Sequence, residues 1–307
     1  MCSAGIILYK YYTEERQKKE IRGAFQTYLS PAVVEQVIED PSKLALGGEK
    51  RELTVLFSDV RGFTTISEAL DAEELANLLN EYLTPMTDLV FKHGGTLDKY
   101  MGDAVMAFWG APIPQEDHAF RACDCALEMM RVLHELQRDF EARGYPPIDI
   151  GIGINTGPMS VGNMGSTQRM DYTVMGDAVN LGSRLEGINK TYGTHIIVSE
   201  FTWRACEGQI WGRELDLVAV KGKKEPVRIY ELIDYKPVPT MVPLVNRFHE
   251  ALQVYRDGDF ARAFQMFQDI LRDYPSDGPS KTFLERSRDL LENPPESWNG
   301  VYVAKTK

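Results

Sequence analysis

Two aspartates sit in matching apolar frames. Asp59 lies in Leu56-Phe57-Ser58-Asp59-Val60-Arg61-Gly62-Phe63, and Asp103 in Leu97-Asp98-Lys99-Tyr100-Met101-Gly102-Asp103-Ala104-Val105. Each acid stands where a strand-like run meets a glycine. A carboxylate there is a poor core residue and a good ligand for a hard divalent cation. Two converging on one point would suit metal-assisted phosphoryl or nucleotidyl transfer. Beyond Asp59, Gly62 lets the backbone N–H groups around Phe63 and Thr64 approach a phosphate. A helix beginning near Thr64 or Ser67 aims its positive end at the same place. Taken singly, each acid has a plainer reading, as a turn or capping residue at a strand end and as the tip of a hairpin.

A second block runs Arg169-Met170-Asp171-Tyr172-Thr173-Val174-Met175-Gly176-Asp177-Ala178-Val179-Asn180-Leu181-Gly182-Ser183-Arg184-Leu185-Glu186. On a helix starting after Gly176, Asn180 and Arg184 are an i,i+4 pair on one face. Alone this is a polar helix face with a solvated arginine. Arginine also suits phosphate, because its planar fork donates two hydrogen bonds at once. Lys221, in Val220-Lys221-Gly222-Lys223, is either a phosphate ligand, a role Lys223 could also fill, or a charged hairpin tip.

The elements that must position these residues alternate from Arg51 to about Asp234. Leu53 to Phe57 reads as a buried strand and Ser67 to Phe91 as helices. Thr96 to Phe108 reads as a hairpin turning at Gly102-Asp103, and Asp117 to Arg143 as a long amphipathic helix. Ile148 to Asn155 and Met159 to Val161 read as strands separated by a turn at Thr156-Gly157-Pro158. Asp177 to Lys190 is a helix, Thr194 to Val198 a strand, and Leu215 to Val220 with Val227 to Ile233 a final hairpin. Two β-α-β halves with antiparallel pairs indicate an α+β fold, a ferredoxin-like α/β sandwich.

Residues 1–46 read as a helical lead-in, with Ser30-Pro31 as the expected N-cap and first-turn proline of its second helix. Its apolar start, Ala4 to Tyr9, is either the cytoplasmic end of a truncated transmembrane helix or a frayed N-terminal helix. No segment reaches the roughly 18 to 20 apolar residues that span a bilayer. The main domain occupies 47–236. A proline-rich linker then leads into a tail, 237–307, in which Ala251, Tyr255, Phe260, Ala263 and Phe267 resemble one tetratricopeptide unit. Small residues let two helices approach while the aromatics fill the gap. One such unit cannot bury its own face, so it must lie on the main domain or on a neighbouring chain.

The net charge is -11, from 34 Lys and Arg against 45 Asp and Glu. General nucleic-acid binding, which rests on clustered cations, is therefore disfavoured. A nucleotide substrate is not, because a few local cations and a metal can hold a triphosphate. The four cysteines have no metal-type spacing and read as reduced and structural, in a cytoplasmic setting.

In order along the chain, these motifs resemble the class III nucleotidyl cyclases, the adenylyl and guanylyl cyclase family, from about Arg51 to Asp234. The resemblance implies two Mg²⁺ or Mn²⁺ ions per site, held by Asp59, Asp103 and the Val60 carbonyl. It implies that Asn180 orients the ribose, Arg184 stabilises charge on the α-phosphate, and Lys221 holds the terminal phosphates. Members using ATP carry lysine with aspartate or threonine where this chain has Lys99 and Thr173, the pattern of bacterial adenylyl cyclases. Lysine donates to N1 of adenine and clashes with the N1–H of guanine. The resemblance further implies a homodimer with sites shared between subunits, and it leaves room for an upstream membrane sensor and a partner for the tail. Guanylyl cyclase, or a non-catalytic nucleotide-sensing or scaffold domain, are the alternatives. No dedicated base stands out; His93 and His118 are poor candidates for one.

Overall fold

A computed structural model describes residues 47–166, 168–219 and 226–301. The lead-in through residue 46, Lys221 and Lys223 lie outside the described residues. Among the described residues, no helix is long and apolar enough to cross a membrane.

The centre is β1 (Gly47–Val60), whose run Leu53 to Val60 is almost wholly buried. Short α1 (Phe63–Ala69) and longer α2 (Ala72–Lys92) follow. Asp71 starts α2 with a capping box: its carboxylate accepts from the Glu73 and Glu74 N–H groups, and Glu74 reaches back to the Asp71 N–H. The hairpin β2 (Thr96–Met101) and β3 (Ala104–Trp109) turns at Gly102-Asp103 as its residue types imply. Helix α3 (His118–Ala142) leads to β4 (Ile150–Gly165), and β5 (Met170–Met175) folds back on it. Then come α4 (Asp177–Tyr192), β6 (Ile196–Ser199), α5 (Glu200–Ala205), β7 (Trp211–Val218) and β8 (Val227–Asp234).

These strands form one mixed sheet in the order β2-β3-β1-β4-β6-β8-β7, with β5 paired to β4. The β4–β6 pair is parallel and the other pairs are antiparallel. Helices α2 and α3 cover one face, burying Tyr82, Met86, Ala122 and Met129 against Leu56, Ile152 and Ile154. The other face, with Val55, Phe57, Met106 and Phe108, lies under Val174 of β5 and Val179 of α4.

The expected turn at Thr156-Gly157-Pro158 is absent. All three residues continue β4, pairing with Thr54, Leu53 and Glu52 of β1. On its other side β4 pairs with β6 at Ile152 to Ile154 and with β5 from Ser160 onward. Pro158 stands in the gap between those partners, where a missing N–H is tolerated.

The tail consists of α6 (Val242–Arg256), α7 (Phe260–Asp273) and α8 (Gly278–Glu292). Ala251 and Ala263 are fully buried where α6 meets α7, as the small-residue pattern requires. The third helix supplies the centre: Phe283 lies 5.0, 5.4 and 5.7 Å from the rings of Tyr255, Phe267 and Phe248. This cluster continues into Leu185 and Tyr192 of α4 and Leu215 and Ile229 of the sheet. The tail's apolar face is therefore covered by its own chain. Arg213 of β7, 2% exposed, bridges Glu231 and Asp277, each at 2.6 Å.

Candidate active site

Asp59 ends β1 and Asp103 occupies the β2–β3 turn, and antiparallel pairing of β1 with β3 brings the two together. The Val60 N–H donates to Asp103 Oδ2 at 3.0 Å. Burial first, then the adjacent Asp103 carboxyl, pushes the Asp59 carboxyl up to about 6. A half-buried carboxylate set beside a second carboxylate carries a repulsion that a divalent cation would remove. Asp59, Asp103 and the Val60 backbone thus fit such an ion. Among the described residues no cluster of three or more His, Cys, Asp or Glu side chains forms a metal site.

Gly62 adopts φ 65°, a left-handed conformation that glycine takes without strain, and precedes α1 directly. The first N–H engaged by the helix is that of Thr65, donating to the Gly62 carbonyl at 3.0 Å. The Phe63 and Thr64 N–H groups thus stand at the helix start, ahead of the first intrahelical bond. Arg61 is held away from it, against Asp149 at 3.0 Å and the Thr194 carbonyl.

Helix α4 lies on the same face of the sheet as Asp59. It approaches closely because its own Gly182 and Gly153 of β4, where they meet, carry no side chain. The side chains it brings toward Asp59 are Glu186 and Lys190, which sequence reasoning did not single out. Burial first, then Asp59, pushes the Glu186 carboxyl up to about 7. Asn180 and Arg184 lie on the exposed side of the same helix.

Lys99 and Thr173 meet across β2 and β5. Between them is Asp98, whose side chain is 0% exposed. Its Oδ2 accepts from the Thr173 hydroxyl at 2.6 Å and from the Val174 N–H at 3.3 Å. Its Oδ1 lies 3.2 Å from Lys99 Nζ. Exposed apolar side chains surround this place: Tyr100 (45%), Met101 (47%), Met170 (37%) and Met175 (48%). A cleft of about 790 Å³ between β4, the start of α4 and α5 includes none of the site residues named from the sequence. The poor candidates for a base are placed elsewhere. His93 pairs with Asp124 and Glu128, and His118 hydrogen-bonds Thr54 inside the sheet.

A mixed sheet flanked by helices, with paired aspartates at the end of its central strand, is the architecture of nucleotidyl cyclase domains. Residues 48–234 match the model of the adenylate and guanylate cyclase catalytic domain, and the chain belongs to that family. It is 36% identical over 209 residues to adenylate cyclase 1 of Rhizobium meliloti, covering 68% of this chain and 31% of that protein. Identity to an adenylate cyclase of Anabaena cylindrica is 39% over 189 residues, 59% of this chain and 37% of that one. The chain thus spans less than two fifths of these relatives' lengths.

Among solved structures, the adenylyl cyclase CyaB from P. aeruginosa is 41% identical with a TM-score of 0.58, covering 62% of this chain and 98% of that one. The guanylyl cyclase Cya2 is 40% identical with a TM-score of 0.57, covering 63% and 98%.

Proposed function

We propose that this chain is an adenylyl cyclase, converting ATP to 3′,5′-cyclic AMP and pyrophosphate in sites shared across a homodimer. The observation that carries the choice of adenine is the meeting of Lys99 and Thr173 around Asp98, although 75 residues separate Asp98 from Thr173. A lysine donor faces the N1 acceptor of adenine, and the threonine oxygen accepts from its 6-amino group. Guanine presents a donor and an acceptor at those places, so each contact becomes a clash of like groups. Similar solved structures include both adenylyl and guanylyl cyclases, and the Lys99–Thr173 pair favours the first of these here.

Asp59, Asp103 and the Val60 carbonyl would hold divalent cations, which would make the ribose 3′-hydroxyl more acidic and offset charge on the leaving pyrophosphate. The turn at Gly62, Phe63 and Thr64 receives phosphate oxygens on its N–H groups. From the other subunit, Lys99 and Thr173 read the base, Asn180 orients the ribose, and Arg184 meets the charge that develops on the α-phosphate. Lys221 holds the terminal phosphates. The 3′-oxygen attacks the α-phosphorus in line and pyrophosphate leaves, so positioning and electrostatics supply most of the acceleration.

The exposed Tyr100, Met101, Met170 and Met175 beside the base-reading pair support shared sites, since a second subunit would cover them. Two-fold symmetry then makes two equivalent sites per dimer. A further proposal places the module at the cytoplasmic side of a membrane sensor, with the tail available to a protein partner.

The test is formation of cyclic AMP from Mn·ATP by the purified chain. Activity abolished by Asp103→Ala supports the reading. A folded, dimeric chain that forms no cyclic AMP, or that prefers GTP, contradicts it.

A further inference from the structure

One buried acid on the base-reading face has no part in holding metal or phosphate. In the β2–β3 ladder Leu97 pairs with Ala107 and Lys99 with Met106, so Asp98 is the extra residue of a β-bulge. Successive strand side chains ordinarily point to opposite faces, and a bulge re-aims them. Here it lets neighbours in sequence meet in space, with Lys99 Nζ 3.2 Å from Asp98 Oδ1. The other oxygen of the same carboxylate takes the Thr173 hydroxyl at 2.6 Å.

That second contact fixes a polarity. A hydroxyl has one proton to donate and two lone pairs to accept with. With its proton committed to Asp98, the Thr173 hydroxyl can only accept from a ligand. A purine whose 6-substituent donates, as an amino group does, finds a partner. A 6-oxo purine brings a carbonyl oxygen against a lone pair. Lys99, a donor without acceptor capacity, imposes the matching demand at N1, where a 6-oxo purine carries a proton.

We propose that Asp98 is the residue that sets base specificity, by holding Thr173 as an acceptor and Lys99 as a donor so that together they accept a 6-aminopurine and reject a 6-oxopurine. It is a positioning residue, acting through the two side chains that meet the base. The inference rests on the adenylyl cyclase reading and deepens it.

The test compares kcat/KM of the full chain for ATP, inosine triphosphate and purine riboside triphosphate, which lacks any 6-substituent. In Asp98→Ala the Thr173 hydroxyl is free to rotate. It still accepts from an amino group but can now donate to a carbonyl. The preference for ATP over inosine triphosphate should therefore fall about tenfold or more, while the preference for ATP over purine riboside triphosphate stays within about threefold. Asp98→Asn keeps an acceptor for Thr173 but no charge for Lys99, and should lie between Asp98→Ala and the unaltered chain.

General damage to the site would lower all three substrates together and leave both ratios unchanged. Unchanged ratios in Asp98→Ala, or in Asp98→Asn should the alanine variant not fold, overturn the proposal. A parallel fall of both ratios overturns it too. An unaltered chain that prefers inosine triphosphate or GTP to ATP instead overturns the adenine reading on which the proposal stands.

Discussion

The Val60 N–H donates to Asp103 Oδ2 at 3.0 Å, tying the tip of the β2–β3 hairpin to the end of the central strand. This bond sets the spacing of the two aspartates, because Val60 follows Asp59 directly. It also links site geometry to the packing of α4 across the sheet, since Asp59 lies on the face that α4 covers. Mutations that lift α4 should therefore reach the acids without touching them.

Gly153 and Gly182 separate that effect from simple crowding. A Cβ on Gly153 would fall 2.2 Å from the Glu186 nitrogen and 2.5 Å from the Gly182 oxygen, both backbone atoms that cannot turn aside. A Cβ on Gly182 would first meet side-chain atoms instead, Val55 Cγ1 at 2.8 Å and the Phe57 ring at 3.3 Å. We expect Gly153→Ala to destabilise by about 1–3 kcal/mol as an overpacked contact. Gly182→Ala should be nearly neutral, its crowding offset by about 1 kcal/mol of helix propensity. Chemical denaturation of both variants measures the difference, and equal losses would show that α4 is not pinned at Gly153.

The tail should be integral to the domain's stability. Arg213 and Asp277 are 2% and 5% exposed and joined at 2.6 Å. Arg213→Ala leaves Asp277 and Glu231 without their shared cation, which typically costs about 3–5 kcal/mol. A lowered melting temperature, with early proteolytic cleavage between β8 and α6, is the expected result. An unchanged melting curve would mean the tail is energetically separate.

The pH dependence follows from His118, whose Nδ1 lies 2.7 Å from the Thr54 hydroxyl inside the sheet. Burial depresses its pKa, with Glu52 and Asp117 pulling the other way. The folded chain therefore keeps His118 neutral where the unfolded chain, with an ordinary value of about 6.5, is protonated. The stability due to this group is present above about pH 6.5 and is lost as pH falls below it. Thermal melts from about pH 7.5 to 5.5 should fall more steeply for the unaltered chain than for His118→Gln. Equal slopes would remove His118 as the cause.

Much of this arrangement was legible in residue types. Gly102-Asp103 turns its hairpin, Ser67 to Phe91 covers the end of α1 and nearly all of α2 with a break at Leu70-Asp71, and Asn180 with Arg184 shares the exposed side of α4. Local signals misled at Thr156-Gly157-Pro158, where the β1 ladder overrode a turn pattern and the gap between β6 and β5 made room for proline. Asp98 had no readable role because a bulge depends on the pairing of two strands, and its partner lies 75 residues away. Glu186 and Lys190 were missed for a related reason. Which helix side chains face Asp59 is decided by glycine-mediated packing on β4, and helical spacing alone cannot supply that.

The claim that two subunits complete each site has the most direct test. On the proposed mechanism Asp59→Ala would remove a metal ligand, and Arg184→Ala the cation assigned to the transition state. Each homodimer should be inactive as a cyclase. In a mixture of the two chains, a heterodimer pairs the intact acids of one with the intact arginine of the other, restoring one site in two. Cyclic AMP formation should return on mixing, rising toward about half the unaltered rate per heterodimer. Confirmed heterodimers that remain inactive would contradict the shared site.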